Sequence, residues 1–295
     1  MTLFWTAVVA GLAIGSIYGL VGVGYTVIFN ATRVFNLAQG DLLMLGVMGS
    51  YLTLVVWKLS EIESLLIVLA GVAVVSLVEE QFVVRPFLKK QGAASFGWFI
   101  ATLGFSAVIE AVVAILFGHR SIVAIPSPFS LGGVAVGSVT IGYRQLLIIG
   151  SFVALIVLLE LFYTRTWMGQ AMRGTAEDRD AASLRGINPV TISRTAFLMA
   201  GLLAAIGGFV IAPITFSDPT IGLTYTLDGF LALAIGGFGS IRGAVVGGLL
   251  LGVSQQLFDA YVNSNYEVMV GLILVVVVLT LRPEGLFRST VARTV

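Results

Sequence analysis

The chain has 295 residues, 58% of them hydrophobic and only 11% charged, with 16 Lys+Arg against 15 Asp+Glu. A soluble domain carries about 25% charged residues, so these charges are too few to cover a water-exposed surface, and the class is integral membrane protein. A net charge of +1 leaves no electrostatic footprint for nucleic acid, the absence of Cys removes thiol chemistry, and the lone His119 cannot build a histidine zinc site.

The uncharged run from Met1 to Thr32 lacks a basic leader and is too long for a cleavable signal peptide. Its window Trp5–Phe29 is read as the first membrane span, since about 20 mostly apolar residues cross a bilayer. The junction that follows, Arg33-Val-Phe-Asn-Leu-Ala-Gln-Gly-Asp41, places Asn36, Gln39 and Asp41 at the start of the next apolar window, Leu42–Trp57. Asp41 fits a helix start, where the dipole favours negative charge. The three polar residues together read either as capping or as a gate and pathway lining near the cytoplasmic mouth.

Leu65–Val78, running on to Val84, and Phe96–Phe117 supply the third and fourth spans. Glu110 is read as the one acidic residue well inside an apolar span. An intramembrane carboxylate is costly enough to mark function, with a paired structural role as the alternative. Ser121–Tyr143 carries Pro126, Pro128, Gly132, Gly133 and Gly137, with Val134, Val136, Val139 and Ile141 alternating around Gly137. This pattern predicts a short β-like outer loop around 126–143 in place of a span.

Leu146–Phe162 is the next span, followed by the densest basic loop, 164–194, with Arg165, Arg173, Arg179, Arg185 and Arg194. Thr175 and Asp178 approximate a capping box, Gly186 fits a C′ position and Pro189 forbids continuation. A helix of about 15 Å is therefore expected over Ala176–Arg185. It presents Ala181 and Leu184, with Ala182 and Ile187 beside them. So short a helix is marginal alone. It reads either as lying on lipid headgroups or as docking into a groove of another protein.

Thr195–Phe216 and Val268–Leu281 are further spans. Between them Leu223–Phe258 is apolar but broken by Gly236, Gly237, Gly239, Ser240, Arg242, Gly243, Gly247 and Gly248. Two short helices meeting near Ser240–Gly243 are expected, either as a solute-path break or as close packing through small residues. The fold class is all-α and polytopic, with eight or nine membrane segments depending on whether this pair crosses once or twice. The Lys/Arg bias places loop 164–194, Arg33, Arg85, Lys89, Lys90 and the C-terminal Arg282, Arg288 and Arg293 in the cytoplasm and the N-terminus outside, with Lys58 and Arg120 as exceptions. No G-x-x-x-x-G-K-[ST] phosphate loop, Ser/His/Asp set or HExxH motif appears, so neither ATP binding of that kind nor hydrolase chemistry is expected.

Three stretches in the same order, 33–46, 169–188 and 236–248, resemble the branched-chain amino acid ABC permeases, most closely the H-type (LivH-like) subunit, over essentially the whole chain. The sequence departs at Gln39, where His is frequent in that family. The resemblance implies one ABC permease transmembrane domain over 1–295. It further implies an importer in the cytoplasmic (inner) membrane of a prokaryote, carrying branched-chain or related neutral amino acids. Its implied partners are a homologous M-type permease, two cytoplasmic ATPases and a periplasmic or lipid-anchored amino-acid-binding protein. This chain is then a transport subunit and no enzyme. It holds no metal or cofactor, because ATP and Mg2+ sit on the ATPases.

The coupling helix, by the same resemblance, is built from Ala176, Glu177, Asp178, Ala181, Ala182, Leu184, Arg185 and Gly186. Candidate path or gate residues are Asn36, Gln39, Asp41, Glu110, Gly236, Gly237, Gly239 and Ser240. Three other readings stay open: a urea or short-amide permease of the same superfamily, an ion-coupled secondary carrier working through Glu110, and a passive channel or structural membrane subunit that needs no coupling helix.

Overall fold

The computed structural model describes residues 2–90, 97–118, 132–136, 139–215, 218–263 and 266–287. Nine apolar helices dominate the described residues. Helix α1 (Thr2–Thr32) is followed by α2 (Gln39–Ser50), which continues as a π-helical stretch, Tyr51–Val56. Helix α3 (Glu61–Val78) runs without a break through a second π-helical stretch, Glu79–Val84, into α4 (Arg85–Lys90). Then come α5 (Gly97–Phe117), α6 (Tyr143–Arg165), the polar pair α7 (Trp167–Glu177) and α8 (Arg179–Leu184), and α9 (Pro189–Ile211). Helices α10 (Ile221–Gly236), α11 (Ile241–Tyr261) and α12 (Glu267–Leu281) complete the chain. Seven of the helical runs are long and apolar enough to span a bilayer, and α10 and Val268–Leu281 of α12 are shorter apolar helices.

Helix boundaries follow local chemistry. At the start of α3 the Ser60 hydroxyl accepts from Glu63 N–H while Glu63 accepts from Ser60 N–H, a reciprocal capping box. Asn188 caps α9 ahead of Pro189, whose missing N–H costs nothing at a first helical position. The expected β-like loop contains β1 (Gly133–Val136) and β2 (Val139–Gly142), paired antiparallel with Val134 opposite Ile141. Positions 126–131 and 137–138 of that loop, including Pro126, Pro128 and Gly137, lie outside the described residues, as do His119 and Arg120.

Lipid tails are as apolar as leucine, so spans associate by close packing. Helix α1 runs through the centre of the bundle. Its Gly11, Gly15 and Gly19, spaced by four, meet Ala244, Gly248 and Gly252 of α11 at the same spacing. A Cβ on Gly11 would lie 2.6 Å from the Val253 Cα, and one on Gly15 2.9 Å from the Leu249 Cα. On the other side α10 packs Gly229 against Val21 and Gly22.

The glycine-broken region is a helical hairpin. Gly236 backs onto Gly243 and Ala232 onto Gly247, so α10 and α11 run antiparallel, side by side. Of the two, α10, 16 residues and about 24 Å, is short against a hydrocarbon core of about 30 Å. The expectation of two short helices is corrected: α11 has 21 residues, because Ser240 caps it cleanly and its glycines sit in the seams with α10 and α1.

The expected single helix Ala176–Arg185 is also corrected. Asp178 is extended (φ −147°, ψ 108°) and separates α7 from α8. Its carboxylate accepts from Ala181 N–H at 2.9 Å, so Asp178 caps α8, while the Thr175 hydroxyl donates back to the Ala171 carbonyl inside α7. Gly186 does end α8 as expected. It lies at φ 85°, with Ile187 N–H on the Ala182 carbonyl and Gly186 N–H on the Ser183 carbonyl, a Schellman closure.

Cationic residues segregate. Arg33, Arg85, Arg165, Arg173, Arg179, Arg185, Arg194, Arg242 and Arg282 gather at one end of the bundle. Asn30 there bonds the Gly239 carbonyl, and the stretch after α12 bonds the end of α10. At the opposite end the described cations are Lys58 and Arg144, the latter on the Pro213 carbonyl at 2.7 Å.

Candidate functional sites

Arg33, in the left-handed conformation (φ 61°), turns the chain back toward the bundle interior. Phe35 stacks on Phe29 with ring centroids 4.5 Å apart, and the backbone then climbs inward. By Gln39 it lies beside Gly24, about 12 Å before α1 ends, and the Gln39 Nε2 donates to the Ala200 carbonyl, about 17 Å into α9. Helix α2 therefore starts at mid-depth, deeper than a cytoplasmic mouth. Its first N–H groups are satisfied locally. Ala38 N–H donates to Asn36 Oδ1 at 2.9 Å, and Gly40 N–H to the Thr226 hydroxyl at 3.1 Å. That hydroxyl in turn donates to the Leu37 carbonyl.

Acidic side chains converge on this helix start. The Asn36 Nδ2 donates to Glu79 Oε2 at 2.9 Å, both residues fully buried. The Asp41 carboxylate lies near Ser106 on α5 and within Coulombic reach of Glu110, one turn further along α5, and of Glu79. Glu80, next in line, pairs at 3.7 Å with Arg194 of α9. Asp41 Oδ2, Glu79 Oε1 and Gln39 Oε1 have no hydrogen-bond partner. Asn36, Gln39, Asp41 and Glu110 are thus brought together. Among the described residues no three His, Cys, Asp or Glu side chains stand close enough to hold a metal ion.

Glu110 is not alone, contrary to the sequence expectation. Glu79, Glu80, Asp41 and Asp228, the last accepting from Gln255 at 3.3 Å, are all buried within apolar helices. A signal existed: Glu79 and Glu80 sit inside a run that stays apolar on both sides, from Leu65 to Val84.

Gly236, Gly237, Gly239 and Ser240 lie apart from this cluster, in the α10–α11 turn at the basic end. Gly237 and Gly239 take positive φ (105° and 82°), and the turn is pinned by Phe287 N–H on the Gly236 carbonyl and Asn30 Nδ2 on the Gly239 carbonyl. A cleft of about 530 Å³ separates this turn from α7 and the last turns of α6, with Tyr163, Met172, Arg173 and Ala176 on its far wall.

The loop 164–194 stands on the same end. Thr166 caps α7, and Gly169 packs directly on the Phe162–Tyr163 backbone, fixing α7 against α6. The Arg33 guanidinium donates to the Ala176 carbonyl, tying the end of α1 to α7. Burial and the neighbouring Arg179 lower its pKa below the ordinary arginine value. Glu177 and Asp178 are exposed, and Ala182 faces inward. Ala181, Leu184 (89% exposed), Arg185 and Gly186 face outward.

Residues 7–279 match the family described as branched-chain amino acid transport system, permease component. The chain is 31% identical over 290 residues to the LivH high-affinity branched-chain amino acid transport system permease protein of Salmonella typhimurium, covering 94% of this chain and 92% of that one. It is 29% identical over 290 residues to the BraD permease protein of the corresponding system of Pseudomonas aeruginosa, covering 94% of both. Among solved structures, PsaBC from Streptococcus pneumoniae in complex with Fab shares the fold at a TM-score of 0.51 and 12% identity, over 96% of this chain and 93% of that one.

Proposed function

The chain belongs to the permease-component family of branched-chain amino acid transport systems and is a LivH-like multi-pass membrane permease, and from that premise we propose its place in an ATP-driven importer. It takes branched-chain or related apolar amino acids across the cytoplasmic membrane of a prokaryote. It works with a homologous M-type permease, two cytoplasmic ATPases that hold ATP and Mg2+, and a binding protein that delivers the solute. The basic end faces the cytoplasm, by the positive-inside bias.

The observation that carries this reading is the outward face of α8. Ala181 and Leu184 stand exposed on a helix too short to persist alone, while the Arg33–Ala176 bond and the Gly169 contact hold its neighbour α7 to α1 and α6. An exposed leucine on a braced cytoplasmic lever suits a groove on another protein. ATP-driven closure of the ATPases moves α7–α8, and the braced helices pass that motion to the mid-depth site at the start of α2. There Asp41, Glu79 and Glu110 offer acceptors to a passing ammonium group, and apolar walls tolerate an aliphatic side chain. Asn36 and Gln39 hold the helix start in place, and the Gly236–Ser240 turn links α10 and α11 to the cleft beside α7.

The test is Ala181→Asp combined with Leu184→Asp in the assembled complex. Loss of solute uptake and of stimulated ATP hydrolysis, with the chain still present in the membrane, is the expected result. Uptake at the unmodified rate overturns the docking role, and uphill transport by the isolated chain on a proton gradient overturns the ATP-driven class.

A further inference from the structure

We propose that the cleft between α7 and the α10–α11 turn is a second, regulatory site, which takes a free aliphatic α-amino acid from the cytoplasmic side and restrains the coupling helices when filled. The proposal rests on the amino-acid importer reading for its biological sense, and on the cleft itself for its chemistry.

The cleft is of ligand size, about 530 Å³, within the roughly 300–1,000 Å³ of small-molecule sites. Its polar lining is balanced in sign. Arg173 and Glu160 satisfy each other at 3.3 Å, which leaves Arg242 and Glu177 with no ion-pair partner among the described residues. The cleft also opens on the first turn of α11, where the N–H groups of Ile241 and Arg242 have no partner within the helix and the dipole favours an anion.

An independent observation points to a ligand. The Tyr163 side chain is 4% exposed and lines the cleft, yet its hydroxyl has no hydrogen-bond partner. A buried phenol normally finds one. A carboxylate at the start of α11 accepts from Arg242, the helix N–H groups and the Tyr163 hydroxyl, and an ammonium group on the same carbon meets Glu177. Met172 supplies apolar wall for an aliphatic chain. A simple anion leaves Glu177 opposed, and a simple amine leaves Arg242 opposed, so the lining selects a zwitterion.

Position gives the consequence. One wall is α7, which the Arg33–Ala176 bond already ties to α1, and the other is the α10–α11 turn. An occupant bridging the two walls ties the lever to the transmembrane bundle on a second side. Accumulated product then slows the cycle.

The complex is reconstituted in phosphatidylcholine vesicles with its ATPases outward, leucine-loaded binding protein trapped inside, and ATP outside. External leucine is expected to reduce ATP hydrolysis, with leucine's hydroxy-acid and amine analogues, each lacking one charge, far weaker. Tyr163→Phe and Arg242→Gln should each raise the half-inhibitory concentration by about tenfold, the loss of one charge-assisted hydrogen bond, while hydrolysis without external leucine stays unchanged. Hydrolysis indifferent to external leucine, or variants inhibited at the unmodified concentration, overturns the proposal. So does inhibition produced by phosphatidylethanolamine in the vesicles without leucine, since that headgroup carries the same two charges. If trapped leucine drives no transport, the importer reading fails by itself. Calorimetric titration of leucine into the complex without binding protein still decides this site: binding lost in both variants supports it, and binding that is absent in the unmodified complex or survives in the variants overturns it.

Discussion

The Asn36 side chain joins the inward-climbing segment before α2 to Glu79 of the α3–α4 run, Nδ2 to Oε2 at 2.9 Å, with both side chains fully buried. A buried carboxylate is tolerated in a membrane only if something satisfies it. Here one oxygen is met by an amide that also folds back through its Oδ1 to the Ala38 N–H. One residue thus stabilises two things, the acid on a neighbouring helix and the geometry of the α2 start.

Removing one partner of such a pair costs more than removing both. Asn36→Leu is expected to destabilise the chain by about 1–3 kcal/mol, read as a lowered midpoint of thermal aggregation in detergent. Adding Glu79→Leu should recover the part of that loss due to the unpaired acid, but not the part due to the Ala38 N–H, while leaving transport impaired. A double variant no more stable than Asn36→Leu alone contradicts the role given to this pair.

The start of α2 has no room for a methyl group at Gly40. A Cβ there would run into the Gly222 carbonyl and the Thr226 hydroxyl, and would come within 2.5 Å of the Thr226 N. The Gly222 carbonyl and the Thr226 N are backbone atoms of the first two turns of α10 and cannot yield without moving that helix. Gly40→Ala should therefore abolish uptake and sharply reduce folded yield. Gly150→Ala is the matched control, because nothing lies within 4 Å of a Cβ at that exposed position of α6. It should be neutral or stabilising by up to about 1 kcal/mol, since glycine disfavours helix interiors. Equal expression and uptake in both variants would sink the close-packing account.

Much of this architecture is legible in the residues. Charge-free windows locate the spans because the bilayer demands length and apolarity, and Gly186 with Pro189 marks the end of α8 because their backbone restrictions are local. What is not legible rests on distant contacts. The depth at which α2 begins depends on Gly24, Ala200 and Thr226, which no local pattern connects to Gln39. Glu79 and Glu80 fall inside the span read on to Val84, but their burial is not legible there, because their partners Asn36 and Arg194 come from other elements. The break at Asp178 escapes as well. Its carboxylate serves equally as a first-turn acid or as a cap, and the fold chooses the cap.

Glu80 supports a further expectation. It is 1% exposed and neither oxygen has a hydrogen-bond partner, so Arg194 at 3.7 Å is the one cation paired with it among the described residues. Arg194 is itself half exposed, so the pair gains little by Coulomb attraction alone, and its importance lies in the acid it compensates. Arg194→Leu should lower stability markedly, and Glu80→Gln in the same chain should restore it. Thermal midpoints of the unmodified chain and of these two variants measure this directly.

The bond from Arg33 to the Ala176 carbonyl separates folding from coupling. Arg33 adopts φ 61°, a conformation that costs an L-residue roughly 1–2 kcal/mol and glycine almost nothing. Arg33→Gly therefore keeps the turn, relieves its strain and removes the guanidinium, with its contact over the Phe29 ring as well as its bond to Ala176. Its stability should match or exceed that of the unmodified chain. With α7 freed from the end of α1, motion of the lever is lost before it reaches the bundle, so ATP hydrolysis should continue while solute moved per ATP falls several-fold. Arg33→Lys, which keeps a donor but not the planar fork, should fall between the two. Unchanged uptake per ATP in Arg33→Gly would mean that force reaches the bundle by another route, such as the Gly169 contact on α6.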